Sequence, residues 1–224
     1  MITRRTFLTA TAALSSARAA SAPSPYGAIP TARQLRWHEL EFTGFLHFTV
    51  NTFTDKEWGY GDEDPNIFNP VKFDPDAIVA ALAAGGMRGV ILTCKHHDGF
   101  CLWPTKTTGH GVRNSAWRSG KGDVVRAISE AARRHNLKFG VYLSPWDRNC
   151  AEYGKPGYLQ IYRRQLTELL TGYGEIFEVW HDGANGGDGF YGGAREKRTI
   201  DKNTYYQWPG TWDLVRRLQP GAVI

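Results

Sequence analysis

The sequence predicts an α/β fold of the (β/α)8 TIM-like barrel type, in which parallel strands alternate with helices. Short, continuously apolar segments typical of strands covered on both faces alternate with longer segments of helical periodicity. Long segments follow three of the strands, whereas the connections from helix to strand are short, as in barrels with a site at the strands' carboxyl ends. The 224 residues hold four such units and the opening of a fifth strand, and a full barrel needs about 250 residues. We therefore expect the first part of a longer barrel.

Local signals define the individual elements. Asp74 and Asp123 are N-cap residues by type, Pro75 stands at a first helical position, and Gly85 with Gly86 ends that helix. The predicted strands are residues 44–50, 89–95, 138–144 and 176–180, with 222–224 opening a fifth. The predicted helices are residues 75–84, 123–135, 157–171 and 203–218.

Composition argues against several classes of function. The formal net charge of +5 includes three arginines in the first 22 residues, and no helix carries a basic stripe, so nucleic-acid binding is not expected. Eight Trp, ten Tyr and eleven Phe suit the faces of sugar rings, although aromatic residues fill cores by default. The three cysteines leave an odd one and lack metal-type spacing, so we assign them no chemistry.

The first residues are typical of an export signal. Arg4 and Arg5 precede Phe7 and Leu8 in a twin-arginine pattern, followed by small residues suited to peptidase cleavage. The apolar part is too short to span a membrane, and the alternative is a disordered tail rich in Ala and Ser. We expect a leader at residues 1–22, a linker at 23–34, a catalytic domain at 35–224, and a periplasmic or secreted protein without a membrane span.

Polar and aromatic residues recur at the carboxyl end of each predicted strand. His47 alone is typical of a core histidine, and Asp182 before Gly183 is typical of a turn. Because the carboxyl ends of parallel strands meet at one edge, we expect these groups to surround one pocket. Imidazoles, carboxylates and tryptophan faces together suit a neutral, polyhydroxylated ligand. The candidate residues are His47, Glu57, Trp58, His96, His97, Tyr142 and Asp182.

A metal site is the competing interpretation of the histidines. His96 and His97 are adjacent, and His47 could join them in a metal-dependent hydrolase. Neighbouring strand residues point to opposite faces unless the strand has ended, and no His-x-His or His-x-x-x-His pattern completes a ligand set. We therefore expect neither a metal nor a cofactor.

Several collinear stretches resemble the retaining α-L-fucosidases of glycoside hydrolase family 29, most closely the branch that acts on α-1,3- or α-1,4-linked fucose. The matching stretches are residues 47–53, 57–59, 92–103, 122–125, 139–146 and 178–185. The resemblance implies retaining hydrolysis of α-L-fucosidic bonds in fucosylated glycans, with Asp182 as the nucleophile. It implies that His47, His96, His97 and Tyr142 hold fucose hydroxyls, that Trp58 lies against the sugar, and that Glu57 is a further hydroxyl ligand.

The chain departs from the family pattern at two places. His181 stands where the family usually has an aromatic residue. In the family branch that this chain resembles, the acid/base carboxyl follows the fifth strand, so we expect it to lie beyond Ile224 and the 224 residues alone to be inactive or poorly folded. The alternative function is a non-catalytic fucose-binding protein that keeps the sugar clamp. The sequence does not predict an oligomeric state.

Overall fold

The computed structural model describes residues 23–224, so the predicted leader at residues 1–22 lies outside the described residues. Residues 32–224 form one compact unit. Four short 3₁₀ segments accompany the helices and strands, at Val50–Phe53, Pro65–Ile67, Val112–Asn114 and Trp117–Gly120. The main elements are, in chain order, α1 (Ala32–His38), β1 (Thr43–Leu46), α2 (Pro75–Ala84), β2 (Gly89–Lys95), α3 (Val124–Arg134), β3 (Lys138–Leu143), α4 (Tyr158–Gly172), β4 (Val179–Trp180), β5 (Gly187–Gly189), β6 (Glu196–Arg198) and α5 (Trp208–Leu218).

The central sheet has the order β1-β2-β3-β4, and every neighbouring pair is parallel. Helices α2, α3 and α4 each lie between consecutive strands of this sheet in the chain. The predicted α/β fold with a parallel sheet is therefore confirmed. Of the predicted fifth strand at residues 222–224, Val223 forms an isolated parallel bridge with Glu178, just before β4.

The sheet has two different faces. Val90, Leu92 and Val141 point into the large core beneath the helices, together with Ile128 of α3 and Leu166 of α4. The alternate residues Ile91 and Tyr142 belong to a smaller cluster with Phe177 on the other face, where Leu40 packs against them. Strand β2 is thus buried along its whole length, as its continuous apolar sequence predicts.

Three predicted boundaries are wrong, two of them because a local turn intervenes. Strand β1 ends at Leu46 because Thr49 caps the segment Val50–Phe53, its side chain accepting from Asn51 N. Helix α5 begins only at Trp208, since Gln207 has a left-handed backbone with φ 46°. The fourth predicted strand is reduced to Val179–Trp180. Within residues 23–224, no helix is both long enough and apolar enough to cross a bilayer.

Candidate active site

The carboxyl edge of the parallel sheet brings most of the predicted site residues together. His47 directly follows β1, His96 and His97 directly follow β2, and Tyr142 lies near the end of β3. Asp182 stands two residues after β4. Because all four strands run in the same direction, these positions lie at one edge.

Asp182 is held by two hydrogen-bond donors. The Tyr142 hydroxyl donates to Oδ2 at 2.6 Å, and the backbone N–H of Ala184 donates to Oδ1 at 3.0 Å. His97 Nε2 lies 3.8 Å from the same Oδ2 atom. Partial burial alone would raise the pKa of Asp182, but the hydrogen bonds from Tyr142 and Ala184 and the nearby imidazoles outweigh it and place the pKa below its usual value. Asp182 is therefore an ionised carboxylate that faces the site.

The three histidines form a contiguous wall beside this carboxylate. The ring centroids of His47 and His96 are 5.5 Å apart, those of His96 and His97 are 4.2 Å apart, and His96 stacks on Tyr142 at 5.7 Å. Both neighbouring histidines reach the same site because strand β2 has already ended at Lys95.

Burial keeps these imidazoles neutral. It lowers the pKa of His96 to about 3 and that of His97 to about 4, and it lowers the pKa of His47 against the opposing effect of Asp182. At neutral pH each ring therefore carries one N–H donor and one acceptor nitrogen, the combination that pairs with hydroxyl groups.

The loop after β1 supplies an aromatic wall but not a second carboxylate at the site. Trp58 is 43% exposed, and its ring stands edge-on to His97 with centroids 5.8 Å apart. Glu57 is exposed, and its carboxylate makes no hydrogen bond or ion pair with any residue of the described range. The structure thus brings together six of the seven predicted residues, and Glu57 makes no hydrogen bond or ion pair with any of them.

Two residues that the sequence analysis missed fix this loop. Glu63 is buried and accepts hydrogen bonds from the backbone N–H groups of Tyr60 and Gly61. Arg148 donates to the carbonyl oxygens of Gly59 and Asp188, and its guanidinium stacks on the Tyr60 ring at 4.6 Å. The position of Arg148, immediately after the polar cluster that follows the third strand, is the signal that could have identified it.

Lys95 is adjacent to the histidines in sequence but points away from them. Its ammonium is fully buried and donates to Asp147 Oδ2 at 3.0 Å, Gln165 Oε1 at 2.9 Å and Tyr158 OH at 3.3 Å. Asp147 in turn accepts from two backbone N–H groups of its own loop. The turn after β2 packs directly on this network, since a Cβ atom at Gly99 (φ 86°) would lie 2.3 Å from Asp147 Oδ1.

His181 fills the space behind Asp182. Its Nδ1 lies 2.6 Å from Tyr162 OH, and its ring packs on Trp208 with centroids 5.0 Å apart. Burial lowers its pKa to about 4, so His181 packs as a neutral ring. In residues 23–224, no three His, Cys, Asp or Glu side chains are grouped so that they could hold a metal ion.

An open cleft of about 620 Å³ adjoins the site on the β4 side. His47, His96 and His97 do not line this cleft, so it meets the histidine wall only at Asp182. Its lining includes three tryptophans, Trp180, Trp208 and Trp212, together with His181 and Asp182.

Comparison with known proteins gives one consistent family. A family model described as α-L-fucosidase matches residues 28–224. α-L-Fucosidase 1 of Arabidopsis thaliana is 46% identical over 203 residues, which are 90% of this chain and 38% of the plant protein. A glycoside hydrolase 29 family member from an unknown rumen bacterium is 57% identical with a TM-score of 0.88, over 89% of this chain and 36% of that one. A putative α-L-fucosidase from Bacteroides ovatus is 50% identical with a TM-score of 0.78, over 87% of this chain and 32% of that one. The chain thus spans about a third of the length of these relatives, between 32% and 38%.

Proposed function

The chain belongs to the α-L-fucosidase family, glycoside hydrolase family 29, and from this premise we propose that it carries the nucleophile half of a retaining α-L-fucosidase site. The observation that carries the proposal is the state of Asp182. It is an ionised carboxylate held by Tyr142, with three neutral imidazoles beside it. The neutral imidazoles suit the hydroxyl groups of a sugar. The anionic oxygen of Asp182 suits its anomeric carbon, which becomes electron-poor during the reaction.

The proposed reaction has two displacements. A carboxylate oxygen of Asp182 attacks the anomeric carbon while the bond to the leaving oxygen breaks, which forms a covalent fucosyl ester. Water then attacks the same carbon and passes a proton to the second carboxyl group, while the bond from that carbon to Asp182 breaks and releases fucose and the free carboxylate. His47, His96, His97 and Trp58 are the proposed contacts to fucose, and Glu57 remains a predicted ligand.

The leaving oxygen needs a proton from a second carboxyl group, about 5–5.5 Å from the first in retaining enzymes. Within residues 23–224, no carboxylate other than Asp182 makes a hydrogen bond or ion pair with His47, His96, His97 or Tyr142. We propose that the acid/base belongs to the part of the family's length that this chain does not span. An unassisted alcohol leaving group would react about 10²–10⁴-fold more slowly.

Three finer assignments complete the proposal. The sheet order β1-β2-β3-β4 with Val223 next in line supports the first half of a (β/α)8 barrel. The resemblance to the branch acting on α-1,3- and α-1,4-linked fucose supports branched fucosylated glycans as substrates. The twin-arginine pattern at Arg4 and Arg5 supports export of the protein.

Covalent trapping tests the nucleophile without requiring the acid/base. Fluoride leaves without strong protonation, so 2-deoxy-2-fluoro-α-L-fucosyl fluoride should add one fluorofucosyl group to the peptide that contains Asp182, detected by mass spectrometry. Asp182→Asn should give no adduct, and neither should the D-enantiomer of the reagent. L-Fucose binding by calorimetry without any adduct would favour the non-catalytic fucose-binding alternative. Absence of both adduct and binding would refute a fucose site.

A further inference from the structure

The hydroxyl of Ser144 links His97 to the backbone of the loop after β3. Ser144 Oγ lies 2.7 Å from the carbonyl oxygen of Trp146 and 2.8 Å from His97 Nδ1. A carbonyl oxygen only accepts, so the single hydroxyl proton of Ser144 lies toward Trp146. His97 Nδ1 must then carry a proton and donate it to Ser144 Oγ.

The same assignment follows if the serine proton lies toward Tyr142 instead of Trp146. The Ser144 hydroxyl is also near the Tyr142 oxygen, which has given its own proton to Asp182. If the Ser144 hydroxyl donated its proton to the Tyr142 oxygen, it would have no second proton to donate to His97 Nδ1. The serine oxygen could then only accept from that nitrogen. The ring would donate to it in both arrangements.

Backbone hydrogen bonds fix the loops that carry Ser144 and His97 against each other. The N–H of Ser144 donates to the carbonyl of Lys95 at 2.9 Å, and the N–H of Arg148 donates to the carbonyl of His97 at 2.8 Å. Ser144 has no exposed surface, so it cannot contact a ligand itself. Any effect of Ser144 on a ligand must pass through the residues that it touches.

We propose that Ser144 is a positioning residue that fixes His97 in the Nδ1–H tautomer, so that the Nε2 lone pair accepts a hydroxyl hydrogen of the sugar. The His97 ring is neutral down to about pH 4 because burial lowers its pKa. Its Nε2 and Asp182 Oδ2 then face each other as two acceptors 3.8 Å apart. This pair selects a ligand group that brings its own proton, which a hydroxyl does and a fluoro or ether substituent does not.

That the ligand is fucose rests on the proposed function, whereas the tautomer of His97 does not depend on it. Nitrogen NMR of protein labelled with ¹⁵N-histidine reads the tautomer directly, with His97 assigned from the spectrum of His97→Gln. The unsubstituted protein should show a protonated Nδ1 and an unprotonated Nε2. Ser144→Ala should populate the Nε2–H form, while Ser144→Thr, which keeps the hydroxyl, should retain the original pattern.

A matched control separates this role from the loss of any buried hydroxyl. Ser129 is buried in α3 and donates to the Arg126 carbonyl at 3.0 Å, so Ser129→Ala should leave the His97 tautomer unchanged. We expect Ser144→Ala to weaken L-fucose binding about tenfold, equivalent to about 1.4 kcal/mol, with Ser129→Ala and Ser144→Thr within about twofold. Discrimination between fucose and its monofluorinated analogues should also shrink in Ser144→Ala.

Two results would overturn the assignment of Ser144. One is an Nε2–H tautomer of His97 in the unsubstituted protein, and the other is an unchanged tautomer in folded Ser144→Ala. If neither the unsubstituted protein nor any variant binds L-fucose, the proposed function fails. The tautomer measured in the same samples still decides the role of Ser144.

Discussion

Replacement of Tyr142 by phenylalanine removes one of the donors that lower the pKa of Asp182. The hydroxyl gives the carboxylate a short hydrogen bond of 2.6 Å, and hydrogen bonding to the charged form lowers a carboxyl pKa. The ring itself is buried and stacks on His96, so the substitution keeps the apolar contacts and deletes one oxygen. We therefore expect the pKa of Asp182 to rise in Tyr142→Phe.

The size of the rise in the Asp182 pKa follows from the strength of the lost hydrogen bond and from the exposure of the carboxylate. Hydrogen bonds to charged groups contribute about 1.5–3 kcal/mol. The Asp182 side chain is 32% exposed, so water partly replaces the lost donor and the lower end of that range applies. One pKa unit equals about 1.4 kcal/mol, so we expect an increase of about one unit.

The sign of the effect on folding follows by linkage. A carboxylate with a lowered native pKa stabilises the fold above its unfolded pKa and loses that contribution as the pH falls through the native value. Tyr142→Phe should therefore lower the free energy of unfolding at pH 7 by about 1.4 kcal/mol and reduce its dependence on acid pH.

Carbon NMR of protein labelled with ¹³C-aspartate measures this titration directly, with Asp182 assigned from Asp182→Asn. Tyr173→Phe is the matched control, because Tyr173 donates to the carboxylate of Asp123 at 3.0 Å, outside the site. That control should leave the Asp182 curve in place. A Tyr142→Phe curve that superimposes on the parent curve would refute the electrostatic role assigned to the phenol.

Other variants test the buried groups around the site. Lys95→Met leaves Asp147 buried without its cation and should lower the free energy of unfolding by about 3–5 kcal/mol in urea; a cost below about 1 kcal/mol would contradict this. Because burial lowers the pKa of His96 to about 3 and that of His97 to about 4, the unfolded chain takes up protons first. Thermal stability should therefore fall from about pH 6.5 toward pH 4, and the decline should be shallower in the His96→Gln/His97→Gln double variant; an unchanged slope would contradict it. His181→Phe removes a buried Nε2 atom that has no partner within the described residues, but it also removes the contact of Nδ1 with Tyr162 OH, which keeps the Leu143 carbonyl as its acceptor. Because these two effects oppose each other, the free energy of unfolding in urea should change by less than about 1 kcal/mol, and a larger loss would contradict this.

Local signals were sufficient where an element depends on its own residues. Helix α2 has the predicted bounds because Asp74 caps it, accepting from Ala77 N at 3.0 Å, and because two glycines follow Ala84. Strand β2 also has the predicted bounds, since both of its faces are buried and its sequence is apolar throughout.

Elements that depend on distant contacts could not be predicted in this way. The antiparallel pair β5 and β6 contains Asp, Glu, Lys and Arg, which have low strand propensity. Its position depends on long-range bonds, such as those from Arg148 to the Asp188 carbonyl and from Tyr191 N–H to the Arg148 carbonyl. Such contacts leave no periodic pattern in the sequence.

The part of the site that could be predicted is the part whose position depends only on the order and direction of the strands. Parallel strands bring His47, His97 and Asp182 to one edge regardless of the details of the loops. Glu57 lies in a long loop, where the direction of a side chain depends on packing that sequence spacing does not encode. The role of Ser144 likewise follows only from the register of two loops against each other.

Arg148 has a consequence for exchanging parts between relatives. Its guanidinium bonds the loop after β1 at Gly59 and the loop after β4 at Asp188, while its own loop follows β3. It has no carboxylate within ion-pair distance in residues 23–224, so main-chain oxygens and the rings of Tyr60 and Trp146 surround the charge. Replacing the loop after β1 or the loop after β4 alone would change the surroundings of this buried cation, and replacing the loop after β3 alone would remove the donor that bonds the other two. Chimeras should therefore exchange the three loops as a set.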